Sequence, residues 1–141
     1  MSDRSNAEIV LDVLDAVERR DMARLVALYH PLIEFHWPPG LPYGGVHRGP
    51  AVARMSEQFA SIWLPLQPTA AERSMDGEIV AAEGEHVVAK HTWKGCDRAG
   101  RWFCTQTLAH YQLCEGKLLR AQMYHFDLKG LLDFLATARR T

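Results

Sequence analysis

Apolar residues recur at helical spacing near the start of the chain. Ile9, Val10, Val13, Leu14 and Val17 form one stripe, and Asp12, Asp15, Glu18 and Arg19 take the opposite face. Ser5 and Glu8 stand three apart just ahead of the stripe, the spacing of a capping box. Asp21 can cap a second short helix carrying Met22, Leu25, Val26 and Tyr29, which Pro31 ends. Residues 32–37 read as a short strand. Residues 38–45 hold three prolines and three glycines, so they predict an irregular loop. A third helix opens with Pro50 at its first position. It buries Val52, Met55, Phe59, Ile62 and Trp63 and stops at Pro65.

Period-two alternation then replaces helical spacing. Residues 79–83, 86–96, 101–114 and 117–126 predict four strands separated by short turn signals, hence an antiparallel meander. Asp127 can cap a last helix carrying Leu128, Leu131, Leu132 and Leu135. Segregated helices and hairpins predict an α+β fold in one domain over residues 1–141, with helices closing an apolar pocket over a curved antiparallel sheet.

Two-residue loops at Arg98-Ala99 and Glu115-Gly116 fix a register. They place His91, Gln106 and His125 side by side on three neighbouring strands, with Trp93, Cys104 and Asp127 in the next row. The same face carries Trp102, Leu108, His110 and Met123. The opposite face carries Phe103, Thr105, Tyr111 and Tyr124, and is expected to be partly buried in a homodimer.

Charge and composition narrow the function. Net charge is −1, and the one tight basic run is Arg139-Arg140, so no nucleic-acid partner is expected. No apolar stretch approaches the roughly 20 residues that span a bilayer, and no membrane partner is expected. The N-terminus is polar without a signal-peptide core. Cys96, Cys104 and Cys114 are odd in number and form no C-x-x-C pair, consistent with free thiols in the cytoplasm.

The chain resembles the NTF2-like superfamily, in particular its SnoaL-like and ketosteroid-isomerase-like domains. The likeness rests on Ala16-Val17-Glu18-Arg19-Arg20-Asp21 between the first helices and Leu28-Tyr29-His30-Pro31-Leu32-Ile33-Glu34 entering the first strand. Gly49-Pro50, Glu115-Gly116-Lys117 and Phe126-Asp127 match as well. The resemblance implies a cone-shaped curved antiparallel sheet wrapped around N-terminal helices, an NTF2-like/cystatin-like roll, usually dimeric. The functional residues of ketosteroid isomerases align with Trp37, Val13 and His110, none of which matches that chemistry. Epoxide hydrolases of this fold need an Asp–Arg–Asp set. The derived pocket face has one Asp and no Arg.

The candidate catalytic residues are His125, His91 and Asp127. An imidazole with an ordinary pKa near ~6.5 exchanges protons near neutrality. The plainer reading of each histidine is a core group satisfied by Gln106, a carbonyl or water. Asp127 either raises the pKa of His125 or caps the last helix. Candidate substrate-binding residues are Trp37, Tyr43, Trp93, Gln106, His110 and Met123, with His47 beside Tyr43 at the cavity mouth. Cys104 on the pocket face is read as a small apolar side chain rather than a nucleophile. His91, His110 and His125 cannot converge on one ion in this register, so neither a metal nor another cofactor is expected. Two function classes remain. One is an acid–base enzyme of cyclase, isomerase or dehydratase type acting on a hydrophobic carbonyl compound. The other is a non-catalytic ligand-binding or assembly domain. The enzyme predicts a polar group aimed into the cavity with a perturbed pKa; the binding domain predicts that every polar pocket group is already satisfied by the protein.

Overall fold

The structure is a computed structural model that describes residues 5–139. The elements run α1 (Asn6–Glu18), α2 (Met22–Ala27), β1 (Tyr29–Trp37), β2 (Gly45–Arg48), α3 (Ala51–Trp63), α4 (Ala70–Arg73), β3 (Glu78–Glu83), β4 (His86–Cys96), β5 (Trp102–Cys114), β6 (Lys117–His125) and α5 (Leu128–Ala138). The Ser5/Glu8 capping box opens α1 as expected. The α1 stripe buries Ile9, Val10, Val13 and Leu14.

Six strands form one curved, unclosed sheet in the order β2-β1-β6-β5-β4-β3. Neighbours are antiparallel except β1 and β6, which run parallel. The fold is therefore α+β, as the pattern predicts. One face of the sheet carries the core. In β4 it presents Val87, Ala89, His91 and Trp93; in β5 it presents Thr105, Thr107, Ala109, Tyr111 and Leu113. Val10 and Val13 of α1, Met55 and Trp63 of α3 and Phe134 of α5 join the same core.

Both later hairpins depart from the expected register by one residue, for different reasons. Between β4 and β5, Cys96 pairs with Trp102, and the loop is longer than two residues. The cause is Asp97, whose Oδ1 accepts the N–H groups of Ala99 and Arg101, both at 2.9 Å. Arg101 also donates to its Oδ2. The Asp97 N–H donates to the Arg101 carbonyl at 3.0 Å, which leaves residues 98–100 as the loop, and Gly100 takes φ 84°, the left-handed residue a three-residue loop needs. Between β5 and β6 the Glu115-Gly116 turn does have two residues, and both take positive φ. The slip enters later, where the register shifts beyond Leu113↔Leu118 and leaves Leu119 as the extra residue of a bulge. Each one-residue shift inverts the face of the next strand. The first inverts β5; the second restores β6.

Residues 38–48 are more ordered than their composition predicts. Residues 45–48 turn back as β2 on the edge of β1. Tyr43 is 1% exposed. A further unexpected element is α4, with its own Thr69/Glu72 capping box.

The chain closes α1 with left-handed backbone at Arg20 (φ 59°). The Arg20 N–H reaches the Val17 carbonyl at 3.2 Å and the Asp21 N–H reaches that of Ala16 at 2.9 Å. This is a Schellman closure, a place that usually takes glycine.

Candidate functional site

The site is built on the middle of the sheet. His91 of β4 pairs with Thr107 of β5, and Thr107 pairs with His125 of β6. The three side chains therefore stand in one row on the core face. Thr107 Oγ1 and His125 Nδ1 share a hydrogen bond of 2.8 Å. All three line a cavity of about 280 Å³ between sheet and helices.

Aromatic rings share its wall with aliphatic and methionine side chains such as Val13, Leu25, Met55 and Met123. Trp37 stacks on Phe59 at 5.4 Å and on His125 at 6.3 Å, with interplanar angles of 26° and 15°. Trp93 lies against Phe59 at 5.5 Å and meets the His91 ring edge-on at 6.3 Å. The Trp37 indole N–H donates to Met55 Sδ, and the Trp63 indole N–H to the Tyr43 hydroxyl. The ring planes are thus fixed by contacts within the protein. Burial pushes the phenols of Tyr29, Tyr43 and Tyr111 above their usual range, so they stay protonated.

The two histidines are chemically unlike their surroundings. Burial pushes the pKa of His91 down to about 4, with the nearby His125 adding to the effect. Burial alone takes His125 to about 4. Both are neutral imidazoles at pH 7. His91 Nδ1 and His125 Nε2 are buried without a hydrogen-bond partner. A buried polar atom left unpaired is costly, and such atoms concentrate at functional sites.

Of the residues expected to bind substrate, Trp37, Tyr43, Trp93 and Met123 line the cavity. Gln106 and His110 do not. The inverted face of β5 turns both to the outside of the sheet, with Cys104, Trp102 and Leu108. There the His110 ring pairs with His86 at 2.9 Å. Thr107 takes the place expected for Gln106. His47 sits in β2, its Nε2 2.8 Å from the Tyr43 carbonyl oxygen, and holds the loop rather than lining the cavity.

Asp127 also leaves the site. Its Oδ1 accepts the Gly130 N–H at 2.9 Å and caps α5. The expectation that it raises the pKa of His125 is corrected: that pKa is lowered, and burial is its sole cause. Asp127→Ala is accordingly expected to cost about 1 kcal/mol of stability, the usual worth of an N-cap. Urea denaturation measures that loss, and ligand affinity should stay unchanged.

Sequence patterning missed Thr107, Tyr111, Phe59 and Arg20, all of which line the cavity. Phe59 was visible only as a core position. Arg20 comes from the α1–α2 turn, away from the strands whose alternation marks the faces of the sheet. Among the described residues, no three His, Cys, Asp or Glu side chains are grouped to hold a metal ion.

Comparison with known proteins agrees with this fold. A family model described as a SnoaL-like domain matches residues 10–121. No curated protein matches the chain. Among solved structures, TerC co-crystallised with polyporic acid superimposes with a TM-score of 0.74 at 18% identity, covering 93% of this chain and 98% of that one. A protein of cystatin-like fold from Xanthomonas campestris gives 0.77 at 19% identity, covering 94% and 98%. An NTF2-like protein from Burkholderia thailandensis gives 0.71 at 22% identity, covering 95% and 98%.

Proposed function

The chain belongs to the SnoaL-like domain family, and from that premise we propose that it is a pocket domain performing acid–base chemistry on a hydrophobic, planar carbonyl compound. The observation that carries this reading is the pair of buried, unpartnered imidazole nitrogens in a largely apolar cavity. Fold alone would not support it. The co-crystallisation of the fold relative TerC with polyporic acid is in keeping with a small organic ligand here.

Two neutral imidazoles offer complementary roles. When the Thr107 hydroxyl donates to His125 Nδ1, Nε2 carries the ring proton and can donate to a carbonyl oxygen. The lone pair of His91 then takes a proton from the carbon beside that carbonyl. Burial weakens His91 as a base. The negative charge growing on the carbonyl oxygen favours the imidazolium formed in the same step. The low basicity itself favours a second reading, in which the histidines only hydrogen-bond a ligand.

Hydrogen–deuterium exchange at the carbon beside the carbonyl of 2-tetralone, followed by NMR in D2O, separates the two. Protein-dependent exchange supports the enzyme. Binding of 2-tetralone with no faster exchange leaves the ligand-binding domain.

The expected homodimer is retained as a proposal on a corrected face. The exposed outer side carries Trp102 (58% exposed), Leu108 (43%) and Tyr124 (52%), whereas Thr105 and Tyr111 are buried inside. Apolar groups of this size grouped on one sheet face suit a partner copy. The protein is expected to sediment as a dimer at micromolar concentration, and Leu108→Glu as a monomer. Wild-type monomer would remove the proposal. Cys96, Cys104 and Cys114 are all free, which supports the cytoplasmic expectation. No helix among the described residues is long and apolar enough to cross a membrane.

A further inference from the structure

Among the described residues that line the cavity, one carries a full charge, Arg20. An arginine stays protonated in proteins, so this charge is permanent. Its Nη2 donates to Gln67 Oε1, and its Nε is buried with no hydrogen-bond partner. Among the described residues no carboxylate forms an ion pair with it, and the charge that acts on it is the like charge of Arg73. Arg73 in turn donates to the backbone carbonyls of Gln67 at 2.9 Å and Pro68 at 3.1 Å. Two guanidinium groups therefore flank Gln67, itself 1% exposed.

The neighbouring acids are engaged elsewhere. Glu72, which feels Arg73, accepts from Thr69 in the α4 capping box. Glu18 Oε1 accepts the Met75 N–H at 2.7 Å. The partial negative charge of the α1 C-terminus offsets only part of one positive charge. The backbone at Arg20 adds an independent sign. A bulky side chain occupies left-handed φ where glycine closes a helix most easily. The strained position brings a guanidinium to the edge of an aromatic cavity.

We propose that Arg20, supported by Arg73, receives an anionic group of the ligand, so that the pocket prefers a planar aromatic carboxylate over its neutral analogue. This rests on the reading of the cavity as a small-molecule pocket. A carboxylate placed at the Arg20 guanidinium relieves the repulsion between the two arginines. The aromatic body then lies among Trp37, Phe59 and Trp93, whose rings wall the cavity. Charge-assisted hydrogen bonds to a guanidinium are the strongest contact such a ligand can make here.

The test uses 2-naphthoate and its neutral counterpart 2-naphthamide as probes, with affinities from calorimetry at about pH 7.5, where the carboxylate is ionised. The wild-type chain should bind the naphthoate about 10-fold or more tighter, the size of one good charge-assisted contact. Arg20→Gly should bring the two affinities together. It suits the left-handed backbone and should keep the melting temperature, so the variant remains folded. Arg20→Lys should keep part of the preference. Equal affinities in the wild type, or a preference that survives Arg20→Gly, would overturn the anion site while leaving the pocket intact. If neither probe binds, the pocket reading fails and the anion site with it.

Discussion

Acidification is expected to destabilise the protein well above the pH at which its carboxylates titrate. His91 and His125 are held neutral by burial, with pKa values of about 4 against 6.5 in an unstructured chain. As pH falls below 6.5, the unfolded chain binds protons at both rings and the folded chain does not. Stability therefore falls with pH through the interval from 6.5 to about 4. The loss should reach roughly 2 kcal/mol for His91 by about pH 5, and on the order of 3 kcal/mol near pH 4. His125, partly exposed, should contribute somewhat less. Carboxylates with lowered pKa values, such as Glu34 and Asp97, lose their contribution as pH falls below about 4.5, so they share only the lowest part of this interval. Urea denaturation at pH values between about 7 and about 5 measures the slope. Replacing both histidines with asparagine should flatten it. A wild-type chain equally stable across that interval would contradict the assignment of neutral, buried imidazoles.

The second large effect concerns chemistry. His125→Ala is expected to lower protein-dependent exchange of 2-tetralone by roughly 10²–10⁴-fold while affinity changes much less. The ring stacked on Trp37 and held by Thr107 is the proposed carbonyl partner, so its loss acts on the transition state more than on the bound ground state. Thr107→Val should reproduce part of the loss, because it removes the hydroxyl that orients the ring. Exchange that persists at the wild-type rate in His125→Ala would remove His125 from the chemistry.

Much of this fold was legible in the pattern of apolar positions. The Ser5 cap, the α1 stripe and the alternation over His86–Cys96 each follow from local spacing. The pairing of His91 and His125 was legible for an accidental reason. The Asp97 loop and the Leu119 bulge each shift the register by one, and the two shifts cancel between β4 and β6. They do not cancel for β5, which is why Gln106 and His110 were misplaced. Asp97 could have been recognised as a side chain able to hold a longer loop. The bulge at Leu119 has no comparable local signature. Arg20 was hidden for another reason. Its role depends on the left-handed closure of α1 and on Gln67, 47 residues further along the chain. β2 escaped notice because its four residues lie beside prolines and glycines and gain their order from pairing with β1.

The central claim is that the cavity holds two uncharged imidazoles at neutral pH, each with one buried ring nitrogen that lacks a partner. An NMR titration of the histidine ring signals of the ligand-free protein tests it most directly. The account predicts that the His91 and His125 signals, assigned by substitution of each residue, stay in their neutral form as the pH is lowered through 6.5 and move only towards about pH 4. Either ring titrating at or above 6.5 would mean a charged histidine in the cavity under working conditions, and would contradict the account.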